Sequence, residues 1–336
     1  MKRWLTCLVA LLVGLTARAQ RIEVDWPTPS TAFAEGRPIA EFLQHAGTGD
    51  PMAGAFGCVR SNGRQFHEGI DIQPVSRDRR GEATDPVFAA LDGVVSHVST
   101  VPGHSSYGRY VVLEHPGVEP AVYTLYAHLA HIAPQIRAGT KVRRGQTLGV
   151  MGRSASGYAI PKDRAHLHFE IGLRLTNDFQ RWYDGRKFGS KNEHGRYNGY
   201  NLMGFDPLDF FREHRAGRAD GFSDYIARMP TVVTARIATG RVPDFVRRYP
   251  ALVIPHPPML IAGWEISFNA TGLPFSWKAL PASEVQGMRP NEIRIVHVDA
   301  AEEKSHRCKH LALQRRGRWE PGADLETVLQ LLFGLR

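Results

Sequence analysis

The sequence has few cysteines and lacks several kinds of segment that would decide its class at once. Three cysteines occur among 336 residues, so at most one intrachain disulfide can form. There is no internal repeat, no low-complexity segment and, after the N-terminal stretch, no apolar run long enough to cross a membrane. Basic residues are dispersed, without a long basic run or an aromatic stacking motif, which disfavours nucleic-acid binding.

The bulk composition is typical of a globular protein of more than one domain. Hydrophobic residues make up 43% of the chain and charged residues 22%, and 336 residues are enough for a sizeable core and two domains. The formal net charge of +9 is consistent with a polyanionic partner such as an anionic membrane or an acidic cell wall.

The N-terminus resembles an export signal over residues 1–19. Lys2 and Arg3 precede an apolar stretch, and Ala17-Arg18-Ala19 has the small-x-small form of a cleavage site. An uncleaved membrane anchor is the alternative, but the stretch is shorter than the ~20 residues that a span needs. We therefore expect an exported protein, located in the periplasm or secreted to the cell envelope, with no membrane span after cleavage.

Removal of this signal leaves two cysteines, Cys58 and Cys308. Because exported proteins meet an oxidising environment, these cysteines could form a disulfide. Two separate buried thiols are an equally good interpretation of the sequence.

The middle of the chain predicts a mainly β domain. Residues 20–53 are expected to be an extended lead-in, and residues 54–211 contain short β-branched and aromatic runs bounded by turn residues. Because these strands follow one another without intervening helices, we predict a compact antiparallel β sandwich or partial barrel. Gly145, Gly149 and Gly152 are interpreted as turn glycines, since no Gly-Lys-Ser/Thr sequence follows them.

The rest of the chain predicts a second, smaller domain. The polar and aromatic stretch 172–205 is long for a loop, and its Arg181-Trp182-Tyr183 segment could stack on sugar rings, although packing within the stretch is favoured. Residues 212–221 are a plausible linker. Residues 222–336 predict a small β-rich C-terminal domain that ends in an amphipathic helix, and its role cannot be read from the sequence.

Histidines and one aspartate carry the most informative pattern. His67 and Asp71 lie four positions apart, His128 follows a predicted strand, and His166 and His168 are separated by one residue. Three such side chains would leave one coordination position of a zinc ion open for water, which is typical of a catalytic site. This pattern indicates metal-assisted hydrolysis.

The local sequence favours strands around these residues. Gly69 argues against the helical His-Glu-x-x-His arrangement, so Asp71 is expected on a strand that follows a turn, with Glu68 poorly placed as a base. His166 and His168 point to one face of a strand, since residues two apart do so. The other histidines are interpreted as surface or hydrogen-bonded residues.

At these residues the chain resembles the lysostaphin-type zinc metallopeptidases, which cleave peptide stems or cross-links of bacterial peptidoglycan. The resemblance covers about residues 54–211. Four motifs carry it, together and in order: Phe66-His67-Glu68-Gly69-Ile70-Asp71, Tyr126-Ala127-His128-Leu129, Gly145-Gln146-Thr147-Leu148-Gly149 and His166-Leu167-His168-Phe169-Glu170.

The resemblance implies Zn²⁺ held by His67, Asp71 and His168, with His128 and His166 as catalytic histidines. It also implies peptidoglycan peptides as substrate, cleaved by a metal-activated water. Segments 158–165 and 172–205 depart from the family pattern and put substrate preference in doubt. Two other functions stay open: a non-enzymatic cell-wall binding or regulatory protein of the same fold, and a zinc peptidase that acts on proteins.

Overall fold

The computed structural model describes residues 21–45 and 47–335, so the predicted signal peptide lies outside the described residues. The strands, in chain order, are β1 Gly57–Arg60, β2 Gln65–His67, β3 Ile70–Ile72, β4 Pro86–Phe88, β5 Gly93–Ser99, β6 Tyr110–Glu114, β7 Tyr123–Ala127, β8 His131–Ile132, β9 Lys141–Val142, β10 Thr147–Val150, β11 Leu167–Arg174, β12 Leu202–Phe205, β13 Val233–Ile237, β14 Gly263–Phe268, β15 Pro274–Leu280, β16 Ile293–Val298, β17 Ala312–Arg315 and β18 Arg318–Pro321.

The α-helices are α1 Phe179–Arg186, α2 Pro207–Arg215, α3 Phe222–Ile226, α4 Asp244–Arg248, α5 Ala300–Ser305 and α6 Ala323–Phe333. Short 3-10 helices lie at Ile39–Glu41, Pro51–Gly54, Pro102–His104, Lys162–Arg164, Gly195–Tyr197, Gly199–Asn201, Pro250–Leu252 and Ala282–Val285. None of the helices within the described ranges has the length and apolar character that a membrane span needs.

The largest sheet contains seven strands and is antiparallel throughout. Its strands are ordered β12-β11-β7-β6-β5-β9. Strands β3 and β12 pair with the same edge of β11, β3 with its first half and β12 with its second half. A second sheet, β4-β10-β8, lies across the main apolar core from it. The predicted mainly β, antiparallel fold is confirmed, and the sheets in the described residues do not close into a barrel.

The two faces of the seven-stranded sheet are buried by different parts of the chain. On β11, alternation places Leu167, Phe169 and Ile171 in the main core, so His168 and Glu170 project from the other face. That second face carries a smaller apolar cluster, to which the 172–205 segment contributes Tyr197 and Leu202. The metal motif residues of β11 therefore share a face with the inserted segment.

The C-terminal region forms a four-stranded antiparallel sheet, β15-β14-β13-β16, beside the two-stranded β17-β18 sheet. Trp277 is completely buried there, against Trp264 and Phe333. The backbone N–H of Arg174 donates to the Tyr249 hydroxyl at 3.1 Å, and the apolar core is continuous between the two regions. The division of the chain into domains at 54–211 and 222–336 stays a prediction.

Two segments are more ordered than the sequence indicated. The 172–205 stretch, expected as a loop, contains helix α1 and strand β12. The expected linker 212–221 begins inside α2, which continues to Arg215. Asp206 caps that helix by accepting from the N–H of Leu208 at 2.9 Å and of Asp209 at 3.1 Å, and the amphipathic face that follows buries Phe210 and Phe211.

The lead-in is fixed to the core by aromatic side chains. Trp26 stacks on Phe33 with ring centroids 4.8 Å apart and contacts Phe211 at 5.2 Å. Gln44 donates its backbone N–H to the carbonyl of Asp71 at 2.8 Å. The lead-in thus reaches the strand that carries one of the predicted metal ligands.

A disulfide joins Cys58 of β1 to Cys308, 250 positions later in the sequence. Next to it, the ammonium group of Lys309 lies 4.4 Å from the ring centroid of Phe66, the residue before His67. Of the two interpretations of these cysteines, the structure has the bridge. The C-terminal region is thereby fastened to the hairpin that carries His67.

We expect Cys308→Ser to lower the free energy of unfolding by about 2–4 kcal/mol, because the bridge constrains a long segment of the unfolded chain. Urea unfolding of the exported protein, with and without reductant, measures this. Reductant should destabilise the wild type and leave Cys308→Ser unchanged. Alkylation of both Cys58 and Cys308 in the unreduced wild type would contradict the bridge.

Candidate metal centre

The predicted ligands meet because of the strand register around β11. His168 lies opposite Asp71 of β3 on one edge and opposite Ala127 of β7 on the other. His128 follows Ala127 directly, and His67 ends β2 shortly before β3 begins. Three residues from two distant segments, His67, Asp71 and His128, are thus placed around the side chain of His168.

Three ligand atoms converge to nearly equal distances. Nε2 of His67 lies 3.0 Å from Oδ1 of Asp71 and 3.0 Å from Nδ1 of His168, and Nδ1 of His168 lies 3.0 Å from the same oxygen. The exposed fraction is 0% for His67, 1% for Asp71 and 4% for His168. Within the described ranges, these three residues are the group of histidine and acidic side chains placed to hold a metal ion.

This donor set fits zinc. Zinc takes imidazole nitrogens and a carboxylate oxygen at bond lengths that place tetrahedral ligands about 3.3 Å apart, close to the separations seen here. Three acceptor atoms packed this tightly away from water repel one another unless a cation or a shared proton lies between them. Two neutral imidazoles and one carboxylate would leave a fourth position open.

Each ligand is held from behind by a hydrogen bond on its other polar atom. Nδ1 of His67 donates to the carbonyl of Ala55 at 2.7 Å, and Nε2 of His168 donates to Oε1 of Glu170 at 3.0 Å. Oδ2 of Asp71 accepts from the Arg60 guanidinium. Because a carbonyl or carboxylate oxygen can only accept, the lone pair of each imidazole in its neutral form is on the nitrogen that faces the other ligands.

Glu170 is the buried anchor behind His168. Its carboxylate is 1% exposed and also accepts hydrogen bonds from the hydroxyls of Tyr107, at 2.5 Å, and Tyr123, at 2.8 Å. Burial, together with the charge of Glu170, raises the pKa of both phenols well above the usual range, so both stay protonated and donate. Three donors thus fix the carboxylate that orients the imidazole.

The side chains of the site create the electrostatics of a cation site. Burial alone would raise the pKa of Asp71, but His67, His166 and the hydrogen bond from His168 hold it well below its usual range. Burial disfavours protonation of His168, yet its hydrogen bonds to Asp71 and Glu170 outweigh burial and raise its pKa to about 9.

His128 and His166 lie beside the ligands rather than among them. Their ring centroids are 4.7 Å apart, and the His128 ring is 6.0 Å from that of His168. Nδ1 of His128 donates to the carbonyl of Ser154 at 2.8 Å, and Nδ1 of His166 donates to the carbonyl of Arg164 at 2.8 Å. Both imidazoles therefore have the Nε2 lone pair available on the side away from these carbonyls.

Burial lowers the pKa of both histidines, and their neighbouring imidazoles add to the effect. Both are accordingly neutral near pH 7 and able to accept a proton. His128 also has a left-handed backbone, with φ of 62°, which is unusual for a residue other than glycine. Its N–H donates to the Tyr107 carbonyl at 2.9 Å, which stabilises this conformation.

The structure brings all five residues singled out from the sequence into one site. Three of them form the group that is placed to hold a metal ion, and the other two lie beside this group. Sequence reasoning missed three side chains that support the ligands: Arg60, Tyr107 and Glu170. Glu170 could have been found, because it continues the alternation of His166 and His168 on β11. Arg60 and Tyr107 had no such signal, since they reach the site from other segments.

A comparison with family models finds a match over the part of the chain that contains this site. Residues 65–179 match the model described as peptidase family M23. This part of the chain is similar to the M23 peptidases. The matched region spans all five histidine and aspartate positions, and the resemblance stated from the motifs is confirmed. No curated protein sequence matches the chain significantly.

Several solved peptidase structures are similar to parts of this chain. A candidate glycyl-glycine endopeptidase LytM from Ruminococcus gnavus is 22% identical, over 45% of this chain and 48% of that one, with a TM-score of 0.29. A zinc-containing peptidase from Vibrio cholerae is 27% identical, over 45% and 36%, with a TM-score of 0.27. The catalytic domain of lysostaphin from Staphylococcus simulans is 21% identical, over 47% and 89%, with a TM-score of 0.29. The chain spans about half or less of the first two.

We expect Glu170→Gln to weaken zinc binding by about 10- to 100-fold, because a neutral amide holds the His168 imidazole less strongly than a carboxylate. Competition with a chromogenic chelator measures the affinity. Glu114→Gln is the matched control, since Glu114 lies on the same sheet but accepts from Arg174 and Tyr197 instead. Equal zinc affinity in Glu170→Gln and the wild type would show that Glu170 does not support the metal.

Proposed function

We propose that the protein is an exported zinc endopeptidase that hydrolyses peptide bonds in the stems or cross-links of peptidoglycan. The single observation that carries this proposal is the convergence of His67, Asp71 and His168 within a region similar to the M23 peptidases, flanked by two neutral imidazoles. A non-enzymatic relative would be expected to have lost ligands, and this chain has all three. The net charge of +9 favours a polyanionic substrate such as the cell wall.

The residues of the site would have three roles in this reaction: metal binding, proton transfer and positioning. His67, Asp71 and His168 would hold the zinc ion, which would supply Lewis-acid activation of a water molecule and of the scissile carbonyl. His128 and His166 offer Nε2 lone pairs that can accept the proton of the attacking water and pass it on to the departing amine. Ser154 and Arg164, through their carbonyl oxygens, keep these two rings in position while the proton is transferred.

Export is part of the proposal. The leader-like residues 1–19 support it, and so does the disulfide between Cys58 and Cys308, since such bridges persist in oxidising compartments. We place the protein in the periplasm or at the cell envelope, with the 222–336 region attached to the peptidase domain.

Digestion of purified sacculi tests the reaction. We expect the zinc-loaded protein to release muropeptides with newly formed amino and carboxyl termini, and a chelator to abolish this release until zinc is restored. Mass spectrometry of the products identifies the bond that is cut. Intact sacculi together with cleavage of a protein substrate would favour a protein peptidase, and no cleavage of either would favour a binding protein.

We expect His128→Ala and His166→Ala to keep their zinc but to lose about 10²–10⁴-fold in turnover, because each removes a group for proton transfer. Metal content by atomic emission and release of muropeptides measure the two effects separately. His97→Ala serves as a control, since His97 lies on β5 and contacts Tyr110 and His194 instead of the ligands. Loss of zinc in His128→Ala or His166→Ala would contradict the role assigned to that residue.

A further inference from the structure

The most exposed large apolar side chains of the described residues lie together on one loop of the C-terminal region. Met259 is 99% exposed and Leu260 is 80% exposed, and Ile254 in the same loop is 47% exposed. Single apolar residues at a surface are ordinary, whereas neighbouring ones that are this open to water indicate a surface that contacts another molecule. We call residues 254–262 the apolar tip.

Both ends of the apolar tip are fixed on strand β15. The N–H of Ile254 donates to the carbonyl of Trp277 at 2.8 Å, and the N–H of Ala262 donates to the carbonyl of Leu280 at 2.8 Å. Trp277 and Leu280 are themselves completely buried. The tip therefore leaves and rejoins the fold at fixed points of a packed sheet, and it holds its exposed side chains away from the core.

Three residues between these fixed points are prolines: Pro255, Pro257 and Pro258. A proline has a fixed φ angle, so the loop loses little conformational freedom when it binds. A proline also has no N–H, so the tip has fewer backbone donors that would lose their water in an apolar phase. Because unpaired backbone groups are costly inside a bilayer, this composition favours a lipid interface.

Two loops at the same end of the four-stranded sheet lie against the tip where it rejoins the sheet. A Cβ at Gly240 would be 3.0 Å from the carbonyl oxygen of Ile261. A Cβ at Gly263 would be 2.5 Å from a methyl carbon of Val285. The loop that follows β13 and the loop that precedes β16 are therefore both in contact with this part of the chain.

These two loops carry exposed arginines. Arg241 is exposed and donates to a backbone carbonyl, which has no net charge. The Arg289 side chain is 92% exposed and lies 3.8 Å from Glu292, which pairs more closely with Arg294, at 2.9 Å. The crossover 238–262 has three arginines and one acidic residue. This excess of positive charge beside an exposed apolar loop is complementary to an anionic lipid surface.

We propose that the apolar tip is a membrane-docking site, at which Met259 and Leu260 enter the interface of an anionic bilayer while Arg241 and Arg289 contact the headgroups. Apolar insertion and basic charge give lasting attachment to a bilayer when they are combined. A stable protein complex commonly buries about 800 Å² on each partner, which is more than a loop with two protruding side chains offers. The tip therefore favours a lipid partner, and its role goes beyond the proposed hydrolysis.

Co-flotation of the zinc-loaded, exported protein with lipid vesicles tests the docking. We expect binding to vesicles of equimolar phosphatidylglycerol and phosphatidylcholine, weaker binding to vesicles of phosphatidylcholine alone, and a fall in binding as salt is added. No hydrolysis is measured, so the result is independent of the proposed function. Absence of binding to the anionic vesicles at low salt would overturn the inference.

Met259→Ser/Leu260→Ser tests the apolar contribution. We expect this variant to lower the partition coefficient into anionic vesicles about tenfold or more, because little apolar surface is left to insert. Val75→Ser/Val101→Ser is the matched control, since these side chains are 57% and 45% exposed within the M23-like region. The control should bind as the wild type does. Equal binding by the wild type and the tip variant would contradict the docking site.

Arg241→Gln/Arg289→Gln tests the basic contribution. It should lower binding to anionic vesicles about fivefold or more and leave binding to phosphatidylcholine vesicles unchanged. Arg79→Gln/Arg80→Gln removes the same charge from exposed positions of the M23-like region. If both pairs of substitutions reduce binding equally, overall charge attracts the protein and the tip has no cations of its own for the headgroups.

A fluorophore on the tip distinguishes insertion from other contacts. Because Cys58 and Cys308 are bonded to each other, the thiol introduced by Met259→Cys can be labelled selectively. We expect its emission to shift to the blue on anionic vesicles and to be quenched by lipids with brominated acyl chains. Unchanged emission on vesicles that bind the protein would show that another surface makes the contact. If light scattering instead shows a dimer that Met259→Ser/Leu260→Ser abolishes, without vesicle binding, the tip joins two copies and the lipid proposal is wrong.

Discussion

The pairing register of β11 is the constraint on which the rest of the structure depends. His168 can meet Asp71 only because β11 and β3 are aligned with these two residues opposite each other. The same alignment buries Leu167 and Phe169 in the main core. Since neighbouring residues of a strand face opposite sides, a slip of one position would turn the apolar pair toward the polar site and the imidazole of His168 into the apolar core. Core packing and metal binding therefore select the same register.

Hydrogen bonds from buried groups hold the three proposed ligands in the geometry that metal binding needs. A carbonyl, a guanidinium and a carboxylate each fix one ligand from behind, so little reorganisation is needed when a cation enters. Glu170 extends this arrangement to the phenols of Tyr107 and Tyr123. Tyr107 also contacts the inserted segment through Gly199, so the metal centre and that segment share one side chain.

The sequence predicted the parts of this protein that depend on local pattern. Alternation in β11 and the glycine between His67 and Asp71 indicated strands, and the structure has strands there. Local sequence pattern did not predict the parts of the structure that are determined by tertiary contacts. The aromatic residues of 172–205 carry no clear period, yet Phe179 and Tyr183 of α1 join the main core, while Tyr197 and Leu202 cover the other face of the sheet. The partner of Cys58 was equally open, since no local signal specifies a contact 250 positions away.

The position of Cys308 also affects the order in which the molecule can mature. Synthesis proceeds from the N-terminus, so β1 and His67 emerge long before the cysteine that fastens their hairpin. The disulfide can form only after residue 308 has been made and under conditions in which thiols are oxidised. A chain that stops before residue 308 would carry every proposed zinc ligand but not the bond that secures the hairpin of the first of them.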